Sequence, residues 1–245
     1  MKYLIEPKDR IWVAVNDRIV GTNSDEELVR NLQERTNSVQ TWFFDLDDNH
    51  ADSPAKKIAF GRVGTNIFDP KFLYWALTQG APAKFIKSKE SEAWRKYVNN
   101  FLRDEEALQE VRELFTEETA RQSLYQGVLD FANLVSRSSR FYVTRNIAEV
   151  AEPYRSALGI DGFFPEADNK EKVVEGYLSQ HPEVRIIGVD GDSEEDAAMI
   201  EVAQFYDREV VSFYSMNKPR DSQMDQRFDY SVSKNKSGLV SLLQE

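Results

Sequence analysis

Two carboxylates, Asp45 and Asp47, close the apolar run Trp42-Phe43-Phe44-Asp45-Leu46-Asp47-Asp48-Asn49. A continuous apolar stretch that stops in acids suits a strand covered on both faces and delivering its charges to one end of a sheet. Residues two apart in a strand point the same way, so Asp45 and Asp47 share a side and Leu46 faces away. Carboxylates ~4 Å apart repel by about 4 kcal/mol at an effective dielectric of ~20, and a cation is expected between them. Asp48, on the opposite side, reads as a solvated turn acid, and His50 as a surface histidine. Two further segments end in residues suited to phosphate or metal. Phe141-Tyr142-Val143 runs into Thr144, followed by Arg145 and Asn146, and Val184 to Val189 runs into Asp190-Gly191-Asp192.

The elements that must hold these residues alternate. Beyond residue 135, strands at 141–143, 163–164, 184–189, 210–214 and 230–232 are interleaved with helices at 147–158, 170–180, 194–205 and 239–243. This pattern predicts an α/β fold, a doubly wound and mainly parallel sheet between two helical layers, which is a Rossmann-like three-layer core. Ligands of such sheets bind outside the carboxyl ends of the strands. Upstream, residues 11–21 read as two short strands joined at Asn16-Asp17, a tight hairpin turn. A helix is expected from Ser24, which has capping-box spacing to Glu27. Residues 56–135 read almost wholly as helix, including one from Glu117 through Leu134. The expected organisation is an extension at 1–40 packed on the core, an α/β core at 41–55 and 136–245, and an all-helical cap at 56–135.

Composition narrows the chemistry. With 41% hydrophobic and 12% aromatic residues, the 245-residue chain is globular and long enough to bury a sizeable core. It has no cysteine and only two histidines, which excludes thiolate metal sites and leaves little room for zinc or a histidine-based triad. A net charge of −11 argues against a nucleic-acid partner. No apolar run is long enough for a membrane span or a signal peptide, so a cytoplasmic protein with no membrane association is expected.

Asp45-Leu46-Asp47-Asp48-Asn49, then Thr144 ending a strand, Lys170 opening a helix, and Gly191-Asp192-Ser193-Glu194-Glu195-Asp196 together resemble the four ordered motifs of the haloacid dehalogenase-like hydrolase superfamily. Asp52-Ser53 stands where many members with a helical cap carry such a pair, and the 56–135 insert has that cap's placement. The likeness covers residues 41–245. Asn49 departs from the Thr or Val usual at the end of the first motif.

The resemblance implies phosphoryl chemistry. Asp45 would be the nucleophile that becomes an aspartyl phosphate, and Asp47 the acid and base that protonates the leaving oxygen and then activates water. Mg2+ would be held by Asp45, the backbone carbonyl of Asp47 and Asp192, with Asp196 as a further ligand or a support to one. Thr144 would bind a phosphoryl oxygen, and Lys170 would offset the negative charge. Lys172 competes for the lysine role, but Val173 and Val174 place the apolar face of the helix as expected for Lys170. Arg145 and Asn146 are candidates for substrate contact, with helix capping an equal reading for Asn146. Lys84, Lys87, Lys89, Arg95 and Lys96 read as a solvated helix face. Asp47 favours a phosphatase over a dehalogenase, because a halide leaving group needs no proton. The expected activity is Mg2+-dependent hydrolysis of a small phosphorylated metabolite. A phosphomutase on the same residues, or a non-catalytic binding protein of this fold, are the alternatives.

Overall fold

The computed structural model describes residues 13–15, 18–20, 26–46, 49–51, 105–216 and 227–244. The expected cap from 56 to 104, the Ser24 cap and the Asp52-Ser53 pair lie outside the described residues.

Trp42, Phe43 and Phe44 are all fully buried, as a run with no polar alternation must be. They form β3 (Thr41–Phe44), in the interior of one eight-stranded sheet. β3 pairs in parallel with β4 (Ser139–Val143) on one side and β6 (Ile186–Gly191) on the other. Beyond β4 lies β5 (Gly162–Phe164). Beyond β6 lie β7 (Glu209–Met216) and β8 (Tyr230–Ser233), also parallel. The chain thus winds from β3 outward to β5, then crosses back to β6, which puts the topological switch point beside the end of β3. A hairpin, β1 (Val13–Val15) and β2 (Arg18–Val20), extends the sheet antiparallel from β8, with Val15 opposite Arg18, and the expected turn residues Asn16-Asp17 lie outside the described residues.

Each face of the sheet has its own core. On one, Trp42, Phe44 and Leu46 pack under α1 (Glu26–Ser38), α4 (Val128–Leu134), α5 (Ala148–Leu158) and α8 (Ser237–Gln244). Trp42 stacks on Phe44 and Phe213 at centroid distances of 5.7 and 5.5 Å and meets the edge of Phe131. Such pairs contribute about 0.5–1.5 kcal/mol each beyond burial and hold β3 rigid. On the other face, Phe43, Val143, Ile187 and Val189 pack under α6 (Lys170–Gln180) and α7 (Glu194–Phe205).

The helix expected from Glu117 through Leu134 is two helices, α3 (Glu117–Ser123) and α4. Gly127 breaks it with φ of +79°, and a Cβ there would lie 2.3 Å from the Ser237 amide nitrogen. Between the two helices, Leu124 forms an isolated antiparallel bridge with Ala51. α2 (Glu105–Leu114), α3 and α4 place Val111, Ala120 and Phe131 in the same core as Trp42. Residues 105–134, assigned from sequence to the cap, therefore pack on the α/β core, because their apolar faces cover α5 and α8. No helix among the described residues is long and apolar enough to cross a membrane.

Candidate active site

Asp45 follows β3 on the face of α6 and α7. Its amide donates to the Asp190 carbonyl at 2.9 Å, continuing the ladder one residue past the strand. The Leu46 amide donates to Asp45 Oδ1 at 2.8 Å. Asn49, which is fully buried, donates Nδ2 to the carbonyls of Asp45 and Asp190 at 3.2 and 2.8 Å. Asn49 thus ties the residue that follows β3 to the neighbouring strand β6. Asp47 and Asp48 lie outside the described residues.

Lys170 is the first residue of α6, which Asn169 caps by accepting from the Lys172 amide at 3.0 Å. The cap starts the helix so that Lys170 points inward and Lys172 is left exposed. Lys170 Nζ lies 2.7 Å from Asp45 Oδ1 and 2.6 Å from Asp196 Oδ1. Burial disfavours its charge, yet Asp196 and Asp45 together hold it above the ordinary lysine value. Asp196 sits at the third position of α7 in a reciprocal capping box with Ser193. Its Oδ2 accepts the amides of Asp192 and Ser193 at 2.9 and 3.0 Å and the Ser193 hydroxyl at 2.7 Å. Gly191 makes room for this carboxylate, since a Cβ there would lie 2.3 Å from Asp196 Cβ.

Asp45, Asp192 and Asp196 each bring one carboxylate oxygen within 4.8 Å of the others. An all-oxygen, carboxylate-rich donor set is the chemistry of Mg2+. Burial pushes the Asp45 carboxyl well above the usual range, Lys170 pulls it back, and Asp196 and Asp192 add to the rise. A further positive charge here would favour the carboxylate a nucleophile requires.

Thr144 is fully buried at the end of β4, the strand beside β3. Its Oγ1 accepts from the Asn146 amide at 3.2 Å and from Asn146 Nδ2 at 3.0 Å. With both lone pairs engaged, the hydroxyl hydrogen is left to donate. Ile147, not Asn146, is the N-cap of α5, and it makes no side-chain cap. Asn146 instead orients Thr144. Arg145 forms an ion pair with Glu195 from the first turn of α7, which joins the β4 and β6 loops.

Sequence reasoning missed Lys234, between β8 and α8, whose Nζ lies 3.1 Å from Asp192 Oδ2. It also misplaced His50. The expected surface histidine is fully buried, its Nε2 3.0 Å from Asp190 Oδ2 and its Nδ1 3.0 Å from the Tyr142 hydroxyl. The turn after β3 folds back beneath the sheet end, carrying the ring against Phe44 at 4.9 Å between centroids. The available signal was Asp190 itself, an acid inside an apolar strand that must find partners.

No protein-family model matches the sequence, and a comparison with curated proteins gives no match. Among solved structures, the chain is similar to cytosolic 5'-nucleotidase IIIB bound to cytidine, at 11% identity over 89% of this chain and 90% of that one, with a TM-score of 0.50. It is also similar to a protein of Burkholderia xenovorans LB400 described as a haloacid dehalogenase-like hydrolase, at 13% identity over 83% of this chain and 95% of that one, with a TM-score of 0.52. At such identities the likeness is one of backbone, and the chain has the fold of the haloacid dehalogenase-like hydrolases.

Proposed function

We propose that the protein is a Mg2+-dependent phosphohydrolase that cleaves a small phosphomonoester through an aspartyl phosphate on Asp45. The observation that carries this reading is the Asp45 carboxylate at the switch point, held 2.7 Å from a buried lysine and joined by two further acids. Asp45 Oδ attacks phosphorus while the bond to the leaving oxygen breaks. Asp47 delivers a proton to that oxygen and then takes one from the water that hydrolyses the acyl phosphate. Its role rests on the sequence resemblance. Thr144 donates its hydroxyl to a phosphoryl oxygen, and Lys170 compensates the charge gathered on Asp45 and the phosphoryl group. Mg2+ would be held by Asp45, Asp192 and the Asp47 carbonyl, with Asp196 close by, and would supply positive charge against the phosphoryl oxygens.

The test is a phosphate-release screen over sugar, nucleotide and amino-acid phosphates, with Mg2+ and with chelator. Turnover that needs Mg2+ and drops at least roughly a thousandfold in Asp45→Asn is expected. Undiminished release by Asp45→Asn would sink the mechanism.

A further inference from the structure

Below the site, on the opposite face of the sheet, is a second buried polar cluster that the proposed reaction does not use. Register puts Tyr142, Asp190 and Phe213 level with Phe44 on that face, and Ser215 lies two residues beyond Phe213. Asp190 Oδ1 takes the Lys236 ammonium and the Ser215 hydroxyl, both at 2.8 Å, and Oδ2 meets His50. All but Ser215 are fully buried, and Ser215 is nearly so.

The hydrogen bonds have one consistent direction. A carboxylate only accepts, so His50 Nε2 donates to Asp190. A neutral ring then accepts at Nδ1, and the Tyr142 hydroxyl donates to it. Neutrality of His50 agrees with its burial, which lowers its proton affinity. Lys236 donates to Ser215, which in turn donates to Asp190.

We propose that this cluster is a positioning device for the nucleophile of the proposed reaction, acting through the described residues of the turn after β3, Asp45, Leu46 and Asn49 to Ala51. Asp190 grips that turn at three points, its carbonyl taking the Asp45 amide and Asn49 Nδ2, and its carboxylate taking His50. The far side of the turn is tied as well: the His50 carbonyl accepts the Tyr125 amide at 2.9 Å, and the Lys236 amide donates to the Gln126 carbonyl at 2.8 Å. A buried ion pair among aromatic rings repays its desolvation poorly, and well-packed apolar groups of similar volume would serve the fold as well or better. Direction is what the cluster adds, because each of these bonds tolerates little displacement whereas apolar contacts slide.

The proposal rests on the phosphohydrolase reading, so its test carries a readout that needs no turnover. In His50→Ala, hydrogen exchange of the 45–51 segment should quicken at least tenfold while β7 and β8 exchange as in the wild type. In the same variant kcat should fall tenfold or more, with KM within threefold. His50→Gln, which restores an N–H donor toward Asp190, should recover both to within threefold of wild type. The neutral double variant D190N/K236M should repeat the loss in kcat with a thermal midpoint close to wild type. Wild-type exchange of the 45–51 turn in His50→Ala and D190N/K236M overturns the proposal, whether or not the protein turns over. Faster exchange with an undiminished kcat overturns it equally. Absence of phosphate release by the wild type refutes the phosphohydrolase reading and leaves the exchange test standing.

Discussion

Two lysine–aspartate clusters lie on opposite faces of the same sheet end, one around Lys170 and one around Lys236. In the first, three carboxylates, Asp45, Asp192 and Asp196, face two ammonium groups, Lys170 and Lys234. In the second, one carboxylate faces one ammonium beside a neutral histidine. Among the described residues the first has one more carboxylate than ammonium, and it reaches the surface at Asp192, whose side chain keeps 19% exposure. The second is balanced and sealed. A cluster left with excess negative charge is prepared to take a cation and an incoming phosphoryl group, whereas a balanced one has nothing further to bind. On the proposed reading, the same residue pair serves chemistry in one place and geometry in the other.

Removing the two lysines in turn is the strongest way to break this comparison. Lys170→Met should reduce phosphate release by roughly a hundred- to a thousandfold, since it removes the cation at the reacting carboxylate. Lys236→Met should act mainly on folding, costing about 3–5 kcal/mol because Asp190 is left charged, buried and without its ammonium. Rates and urea midpoints of both variants check this, and equal rate losses with equal stabilities would erase the distinction.

Acid should separate the clusters less sharply but in sign. Burial opposes ionisation of Asp190, yet Lys236 and His50 outweigh it and hold the carboxyl at about 2, below the ordinary 3.8. Its contribution to stability is therefore complete above 3.8 and lost as pH falls toward 2. His50, lowered by burial from 6.5, gives stability that begins to fall once the unfolded chain takes up its proton below that value. Asp45 is shifted the other way, so its protonation on acidification relieves the folded state. Thermal midpoints from pH 7 to 3 should decline in the wild type, and His50→Gln should remove the part of the decline that begins near 6.5. A decline identical in the two proteins would show that His50 does not titrate with folding.

The smallest effect is expected at Lys234. Its ammonium competes with any cation for Asp192, at 3.1 Å and with little exposure. Lys234→Met should bind Mg2+ roughly three- to tenfold more tightly by calorimetry. Weaker binding would mean that Lys234 supports the metal site rather than opposing it.

Much of this was legible from local pattern. The apolar run into Asp45 and the alternation of strand and helix beyond residue 135 are short-range signals, and the elements form within a residue or two of where periodicity puts them. Lys170 could be preferred to Lys172 because helical spacing alone decides which side faces the sheet. The break at Gly127 was not legible, because it depends on the close approach of the Ser237 backbone, 110 residues away in sequence. His50 was misjudged for the same kind of reason. A histidine after a run of acids reads as surface until three strands, β4, β6 and β7, are seen to bring Tyr142, Asp190 and Ser215 beneath it.

By itself, then, the sequence determined the order of the elements and that, of the described residues, Asp45, Asp192, Asp196, Thr144 and Lys170 lie at the carboxyl end of the sheet, since strand and helix periods act over a few residues. Only the tertiary structure decided which charges meet. Lys170 between Asp45 and Asp196, Lys234 on Asp192, and Lys236 with His50 on Asp190 are contacts across distant parts of the chain. Their partners are selected by burial and charge balance in space, and no local spacing records them.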